Sequence, residues 1–110
     1  MSRRVQIQKI LSKGLDLKDY GINNFGLCRK KALLALDELK NHKIAILGGD
    51  VCFKVNHKIE LSYDNWHIEK DESETYDEFY KRSVEISRAY IQNYKNTSKH
   101  CEILFVLVAD

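Results

Sequence analysis

Residues 44–69 read IAILGGDVCFKVNHKIELSYDNWHIE, and this stretch decides the fold that the sequence predicts. Apolar residues alternate with polar or small ones in two runs, which is the period-2 pattern of half-buried β-strands. We expect residues 56–58 to form the loop, since a two-residue loop would set one apolar face opposite a polar face. The predicted hairpin pairs Val55 with Ile59, Phe53 with Leu61, and Val51 with Tyr63.

The predicted register also fixes the pairs on the other face of the hairpin. It places Asp50 opposite Asp64 and sets Trp66 over Gly48. Like charges directly opposite each other destabilise a sheet, and such an exception is more typical of a functional site than of chance. In a second interpretation, Gly48 and Gly49 form a bulge that turns Asp50 away to cap a neighbouring amide. Both interpretations remain open. The remaining pairs are Lys54 with Glu60 and Cys52 with Ser62.

The motifs ILGGDV at residues 46–51 and YDNW at residues 63–66 resemble the Immunity protein 40 family of bacterial polymorphic toxin systems. The resemblance spans residues 20–108, where residues 20–24 read YGINN before a helix. Cys52 stands where the family pattern has an aromatic residue. The resemblance implies an α+β protein that binds and neutralises a cognate toxin. A later helix adds to the resemblance with Glu78, Tyr80 and Arg82.

Length and composition place the chain among ordinary globular proteins. It has 110 residues, of which 44% are hydrophobic and 31% charged, so we expect one α+β domain over residues 1–110. No run approaches the roughly 20 apolar residues of a membrane span, and the N-terminus lacks the apolar region of a signal peptide. These features favour a cytoplasmic protein without membrane contact.

The cysteine and histidine spacings predict neither disulfides nor a metal or cofactor site. Cys28, Cys52 and Cys101 are widely spaced and odd in number, which favours reduced thiols. The four histidines lack the spacing of paired metal ligands. We expect His100, beside Cys101, to be a loop residue and not a catalytic partner.

Charge is unevenly distributed along the chain. Residues 1–47 contain 10 Lys or Arg and 4 Asp or Glu, a balance of +6, whereas residues 48–80 contain 3 and 9, a balance of −6. Residues 81–110 contain 5 and 3, a balance of +2. An acidic hairpin would attract a basic partner, such as a nuclease toxin whose Lys and Arg neutralise phosphates. A solvated acidic surface is the alternative interpretation.

Three helices are predicted outside the hairpin. The first covers residues 4–13, and residues 16–27 form a loop held by apolar side chains. The second covers residues 29–41, and its basic first turn could receive an anion or could be plain solvated surface. The third begins at Thr75, which forms a capping box with Glu78.

The strands form a three-stranded antiparallel sheet in the predicted fold. Residues 103–109 are continuously apolar, as residues 44–47 are, so both segments are expected to be covered on both faces. We place the strand that begins at residue 44 in the centre, the second hairpin strand at one edge, and the C-terminal strand on the other side. The order is 2-1-3, counting from the first hairpin strand, and three helices pack on the sheet.

The leading hypothesis is an interaction protein that binds the C-terminal domain of a toxin. Tyr and Trp at the end of an edge strand are effective interface anchors, and the edge offers unpaired backbone groups to a partner or to a second copy of the chain. Gly48 and Gly49 have a structural role in this hypothesis. The predicted contact residues are Asp50, Tyr63, Asp64, Asn65, Trp66 and Glu69.

Two other functions compete with this hypothesis. A small metal-dependent hydrolase or nuclease could use Asp50 and Asp64, with Glu60 or Glu69 nearby. Against catalysis, no His or Lys is placed to complete a site, so no catalytic residue is predicted. Direct nucleic-acid binding through the N-terminal basic residues and residues 29–31 lacks the exposed aromatics and strongly basic balance of such modules.

Overall fold

The computed structural model describes residues 2–95 and 102–110, in which three helices accompany a three-stranded antiparallel sheet. Cys101 and His100 lie outside the described residues. In chain order the elements are α1 (Arg3–Leu11), β1 (Leu15–Asp16), a short 3-10 helix (Lys18–Tyr20), β2 (Phe25–Gly26), α2 (Arg29–Asn41), β3 (Ile46–Val55), β4 (Lys58–His67), α3 (Tyr76–Asn93) and β5 (Glu102–Ala109). Strand β3 lies in the centre, with β4 and β5 antiparallel on either side.

Local signals account for the ends of the helices. The hydroxyl of Ser2 accepts a hydrogen bond from the amide of Val5 and caps α1. The capping box predicted at the start of α3 is confirmed, because Thr75 and Glu78 each accept a bond from the other's backbone amide. Helix α2 begins after Cys28 without any side-chain cap, so packing of its apolar face must hold it.

The segment predicted as a loop, residues 16–27, contains regular structure. Leu15 pairs with Gly26, and Asp16 with Phe25, in a two-stranded antiparallel sheet. The chain reverses through the 3-10 helix, which ends at Gly21 in the left-handed conformation (φ 83°) that glycine adopts without strain. The sequence prediction was wrong here because two-residue strands are too short to produce a periodic pattern.

The predicted hairpin register was wrong by one residue. The loop contains two residues, so Val55 pairs with Lys58 and Cys52 with Leu61. Asn56 takes a left-handed conformation (φ 58°), which suits tight hairpin loops and which Asn tolerates better than most residues. The corrected pairs also include Phe53 with Glu60 and Lys54 with Ile59.

Within the hairpin itself, a bulge towards the end of β4 changes which residues are paired. Three residues of β4, at positions 62–64, lie against the single residue Val51 of β3, and pairing resumes with Asp50 opposite Asn65. The predicted pairing of Asp50 with Asp64 was therefore wrong, because the extra residues move Asp64 out of the ladder. Trp66 likewise lies opposite Gly49 and not over Gly48.

The sheet has a core on each face, which explains why the shorter loop is tolerated. Helices α2 and α3 cover one face, where side chains such as Leu36, Ile91 and Phe105 are fully buried. A smaller cluster lies on the other face beneath residues 15–26; it contains Leu17, Cys52, Leu104 and Val106, with Ile22 and Ile59 packed against it. The apolar residues of β4 before the bulge thus face this smaller core.

Two buried serines connect α3 to the sheet. The Ser83 hydroxyl accepts a hydrogen bond from the amide of Ile46 (2.9 Å) and donates to the carbonyl oxygen of Tyr80 (2.8 Å). Ser83 and Ser87 are both fully buried, so their small side chains leave room for the helix to approach the strands. Of the helices in the described part of the chain, none combines the length and hydropathy needed to cross a membrane.

Candidate functional site

The bulge on β4 presents an unusual backbone conformation at the edge of the sheet. Tyr63 takes a left-handed conformation (φ 67°), and 85% of the residue is exposed. The Ser62 hydroxyl fixes the bulge by donating to the carbonyl oxygen of Val51 (2.6 Å) and accepting from the amide of Asp64 (3.0 Å). A bulky residue in this conformation costs on the order of 1–3 kcal/mol, and such strain is concentrated at functional sites.

Asp64 is held in place by Tyr94, the residue that follows the last turn of α3. Its Oδ2 atom accepts a hydrogen bond from the hydroxyl of Tyr94 (2.7 Å). Burial and this bond to Asp64 raise the pKa of Tyr94 to about 12. The pKa of Tyr90 is also raised, first by burial and then by the negative charges of Asp64 and Asp50. Both carboxylates therefore act on Tyr90, whereas Asp64 also acts on Tyr94.

A groove of about 280 Å³ opens beside the bulge. Its floor is apolar and is formed by Ile22, Cys52, Leu61 and Val106. The predicted residues Asp50, Tyr63, Asp64 and Asn65 form its polar rim. Burial, and to a lesser degree the charge of Asp50, raises the pKa of the Cys52 thiol, so this thiol is part of the floor and not a reactive nucleophile.

Trp66 lies beneath the bulge, in the core. It is 9% exposed, and its ring stacks on Tyr90 with the centroids 4.4 Å apart. Its Nε1 atom donates a buried hydrogen bond to the Ser87 hydroxyl (3.0 Å). Trp66, which the sequence predicts as an interface anchor if it is exposed and as a core residue otherwise, is buried and joins β4 to α3, because the bulge turns its side chain toward the helices.

The structure places Glu69 apart from the other predicted contact residues. It follows the end of β4, its side chain is 82% exposed, and its carboxylate lies 3.1 Å from Nε2 of His67. Its carbonyl oxygen accepts a hydrogen bond from Arg82 (2.7 Å), which also pairs with Glu74. Glu69 is therefore accessible to a partner but does not line the groove.

The two glycines predicted to be structural meet the backbone and side chain of Trp66. A Cβ atom at Gly48, whose φ is 147°, would collide with the carbonyl oxygen of Trp66. A Cβ atom at Gly49 would collide with the indole ring and would lie 2.7 Å from the carbonyl oxygen of Val106. Both positions therefore exclude a side chain, Gly48 by its backbone conformation as well as by contact.

The lining of the groove differs from the site that the hydrolase hypothesis expected. Within residues 2–95 and 102–110, no three His, Cys, Asp or Glu side chains are grouped closely enough to hold a metal ion. Glu60 and Glu69, which the hydrolase hypothesis placed near Asp50 and Asp64, are not among the lining residues. The arrangement can offer two carboxylates to a cation.

The basic first turn of α2 has a structural task that the sequence did not indicate. The guanidinium of Arg29 donates to the carbonyl oxygens of Ile91 (2.7 Å), Gln92 (3.0 Å) and Tyr94 (2.8 Å). These groups lie at the C-terminal end of α3, where carbonyls lack helical partners and a positive charge is favourable. Arg29 is therefore engaged within the chain and is not free to receive an anion.

The predicted contact residues do not include several residues of the site. Leu61 is 54% exposed in the groove, although the predicted register placed it beside Phe53. Ile22 reaches the groove from the segment predicted as a loop, and Tyr94 holds Asp64 from the end of α3. One local signal favours the two-residue loop: Asn56 readily takes the left-handed conformation. The loop length sets the register of the hairpin and therefore the pairing of Leu61.

Comparison with known proteins identifies the family. No curated protein and no solved structure matches the chain. The family model described as Immunity protein 40 matches residues 16–109, a range that contains the groove, the bulge and the whole three-stranded sheet. This match confirms the resemblance carried by the ILGGDV and YDNW motifs. The chain therefore belongs to the Immunity protein 40 family.

Proposed function

We propose that the protein binds a cognate bacterial toxin in the cytoplasm and neutralises it by covering the toxin's active site. Membership of a family of immunity proteins supports the toxin-neutralising role. The binding surface that we propose is the free edge of β4 with its bulge, acting within a single domain of residues 1–110. The exposed, strained Tyr63 is the observation that carries this choice of surface.

The two outer strands of the sheet differ in how much of their edges is covered. On β5, Phe105 exchanges two backbone hydrogen bonds with Leu27 (2.7 and 2.8 Å), and the carbonyl oxygen of Leu107 accepts a bond from the Asn24 side chain (3.0 Å). Strand β4 has β3 as its only strand partner among the described residues. In the bulge, the amide of Asp64 and the carbonyl oxygen of Tyr63 are bonded to the side chains of Ser62 and Asn65. The outer edge of β4 before the bulge can accept an additional strand or loop of a partner.

The proposed contact residues are the exposed members of the predicted set. They surround the end of β4, and Trp66 supports them from the core without contributing exposed surface. Their acidity favours a basic toxin, as a nuclease would be, because charge complementarity accelerates association and excludes wrong partners. The set consists of Asp50, Tyr63, Asp64, Asn65 and Glu69.

The experiment uses the C-terminal domain of the protein encoded by the adjacent upstream reading frame, where we expect the cognate toxin. Co-production with the wild-type chain should restore growth of cells that make the toxin domain, and the two proteins should purify together. Tyr63→Ala should weaken binding by on the order of 2 kcal/mol, mainly through faster dissociation, because exposed aromatic anchors dominate interfaces.

Leu34→Ala is the matched control, since Leu34 is 54% exposed but lies on α2. It should leave affinity and growth protection unchanged. Equal affinity of the Tyr63→Ala and wild-type chains would move the interface away from the bulge, whereas a wild-type chain that neither binds nor protects would contradict the proposed function itself. A wild-type chain that forms dimers through β4 would assign the edge to self-association.

A further inference from the structure

The groove beside the bulge is small and lies at the edge of the sheet. Its volume of about 280 Å³ lies just below the range of roughly 300–1,000 Å³ that is typical of small-molecule sites. It also lies on the edge strand, where a partner's backbone can approach. These features favour a protruding side chain of a protein partner over a free substrate.

The charges of the rim are one-sided. Asp50 lies on β3 and Asp64 in the bulge of β4, so two strands each contribute an acidic residue to the lining of the groove. None of the described residues that line the groove is Lys or Arg. Neighbouring like charges are unfavourable, and a cation between them would relieve this repulsion.

The floor and the aromatic rim suit one kind of cationic side chain. A long basic side chain lays its methylene stem along apolar surface, which Leu61 and Ile22 provide here. A guanidinium carries five donors in a planar fork, so it can bond to carboxylates on two sides and also stack on an aromatic ring such as Tyr63. An ammonium group lacks the fork and the planar face.

We infer that the groove between β3 and the bulge of β4 binds an arginine side chain of the toxin. The guanidinium lies between Asp50 and Asp64, and the stem lies over the apolar floor. The Tyr94 hydroxyl already occupies Oδ2 of Asp64 at 2.7 Å, so Oδ1 is the oxygen left for the guanidinium. This inference rests on the proposed function, since it names the group of the toxin that the proposed surface recognises.

A first experiment tests the pocket without the toxin. N-acetylarginine amide is titrated into the isotope-labelled chain, with N-acetylcitrulline amide, its neutral isostere, as the matched probe. Saturable shifts of the amide signals of Cys52, Leu61 and Asn65 are expected with the arginine probe only, and Asp50→Asn should abolish them. Equal shifts with both probes, or arginine-specific shifts confined to another surface, would overturn the inference.

A second experiment measures affinity for the toxin domain encoded beside this chain. Asp50→Asn and Asp64→Asn should each weaken binding at least tenfold, which corresponds to about 1.4 kcal/mol. An Asn at position 64 keeps an oxygen acceptor for Tyr94, and melting temperatures verify that each variant is folded. Glu72→Gln is the control, because it removes the same charge from an exposed residue outside the groove.

The outcomes separate the inference from the proposed function. If the wild-type chain binds the toxin and both Asp variants bind it as tightly as Glu72→Gln does, the arginine pocket is overturned. The proposed function then stays intact. A wild-type chain without affinity for the toxin would overturn both. A dimer that Asp50→Asn dissociates would show that a second copy of the chain, and not the toxin, occupies the groove.

Discussion

At the scale of single residues, Trp66 is a core side chain whose indole Nε1 links β4 to α3 through Ser87. We expect Trp66→Ala to lower the free energy of unfolding by about 3–5 kcal/mol, since it removes a buried ring stacked on Tyr90. Urea unfolding at neutral pH measures the loss. Tyr63→Ala, which removes an exposed ring from the same strand, should change stability by less than about 0.5 kcal/mol. Similar stability of Trp66→Ala and the wild type would show that Trp66 is not part of the core.

Gly49 is the residue on which the position of Trp66 depends. Gly49→Ala should destabilise the chain by about 1–3 kcal/mol, because the new methyl group would meet the indole ring and the carbonyl oxygen of Val106. Gly21→Ala is a useful comparison: the left-handed backbone there is costly, but nothing lies within 4 Å of the added atom. The chain has one Trp, so its fluorescence should change in Gly49→Ala and not in Gly21→Ala.

At the scale of secondary-structure elements, the C-terminal end of α3 is capped by the guanidinium of Arg29 from α2. Arg29→Met keeps much of the side-chain stem but removes the donors to three terminal carbonyls of α3. We expect a loss of about 1.5–3 kcal/mol, the range for hydrogen bonds to charged groups. Lys30→Met, on an exposed neighbour, should stay within about 0.5 kcal/mol of the wild type. Equal unfolding midpoints for the two variants would contradict the capping role of Arg29.

The contact between α3 and the bulge predicts a pH dependence. The folded chain favours the neutral hydroxyl of Tyr94 and raises its pKa to about 12, against an ordinary value of 10.0. Between these values the unfolded chain has released a proton that the folded chain still holds, so stability falls as pH rises. This contribution is complete below pH 10.0 and is lost as pH rises to about 12.

Tyr94→Phe provides the test of this linkage. Urea midpoints on either side of pH 10.0 should fall more steeply with pH in the wild type than in Tyr94→Phe. Absorbance titration of the tyrosines should show a late-titrating group that the variant lacks. Parallel pH profiles of the two chains would mean that the bond between Tyr94 and Asp64 does not persist in solution.

The whole molecule separates its charges along the chain. Residues 48–80, which contain the edge strand and its bulge, carry the −6 balance, whereas residues 1–47 carry +6. We expect association with the toxin to slow as salt is added, and the combined Asp64→Asn and Glu69→Gln changes to slow association and flatten this dependence. Stopped-flow association rates measure both effects. Asp37→Asn, on α2, is the control and should leave the salt dependence of the association rate unchanged. An equal change in this control would indicate that net charge alone governs association.

The helices and the existence of the hairpin were determined by the sequence itself. The bounds of α2 and the capping box of α3 follow from apolar spacing and from residues three positions apart, so they need no knowledge of the rest of the chain. The two hairpin strands follow in the same way from alternation. The ILGGDV and YDNW motifs were also sufficient to indicate the family that the match over residues 16–109 confirms.

Only the tertiary structure decided the register of the hairpin and the placement of its side chains. The predicted three-residue loop assumed a single core, but residues 15–26 build a second core on the other face of the sheet, so Ile59 and Leu61 can face away from the helices. The bulge then returns Trp66 to the helical side. Such choices depend on contacts between segments far apart in the chain, and alternation alone cannot tell which face of a strand will be covered.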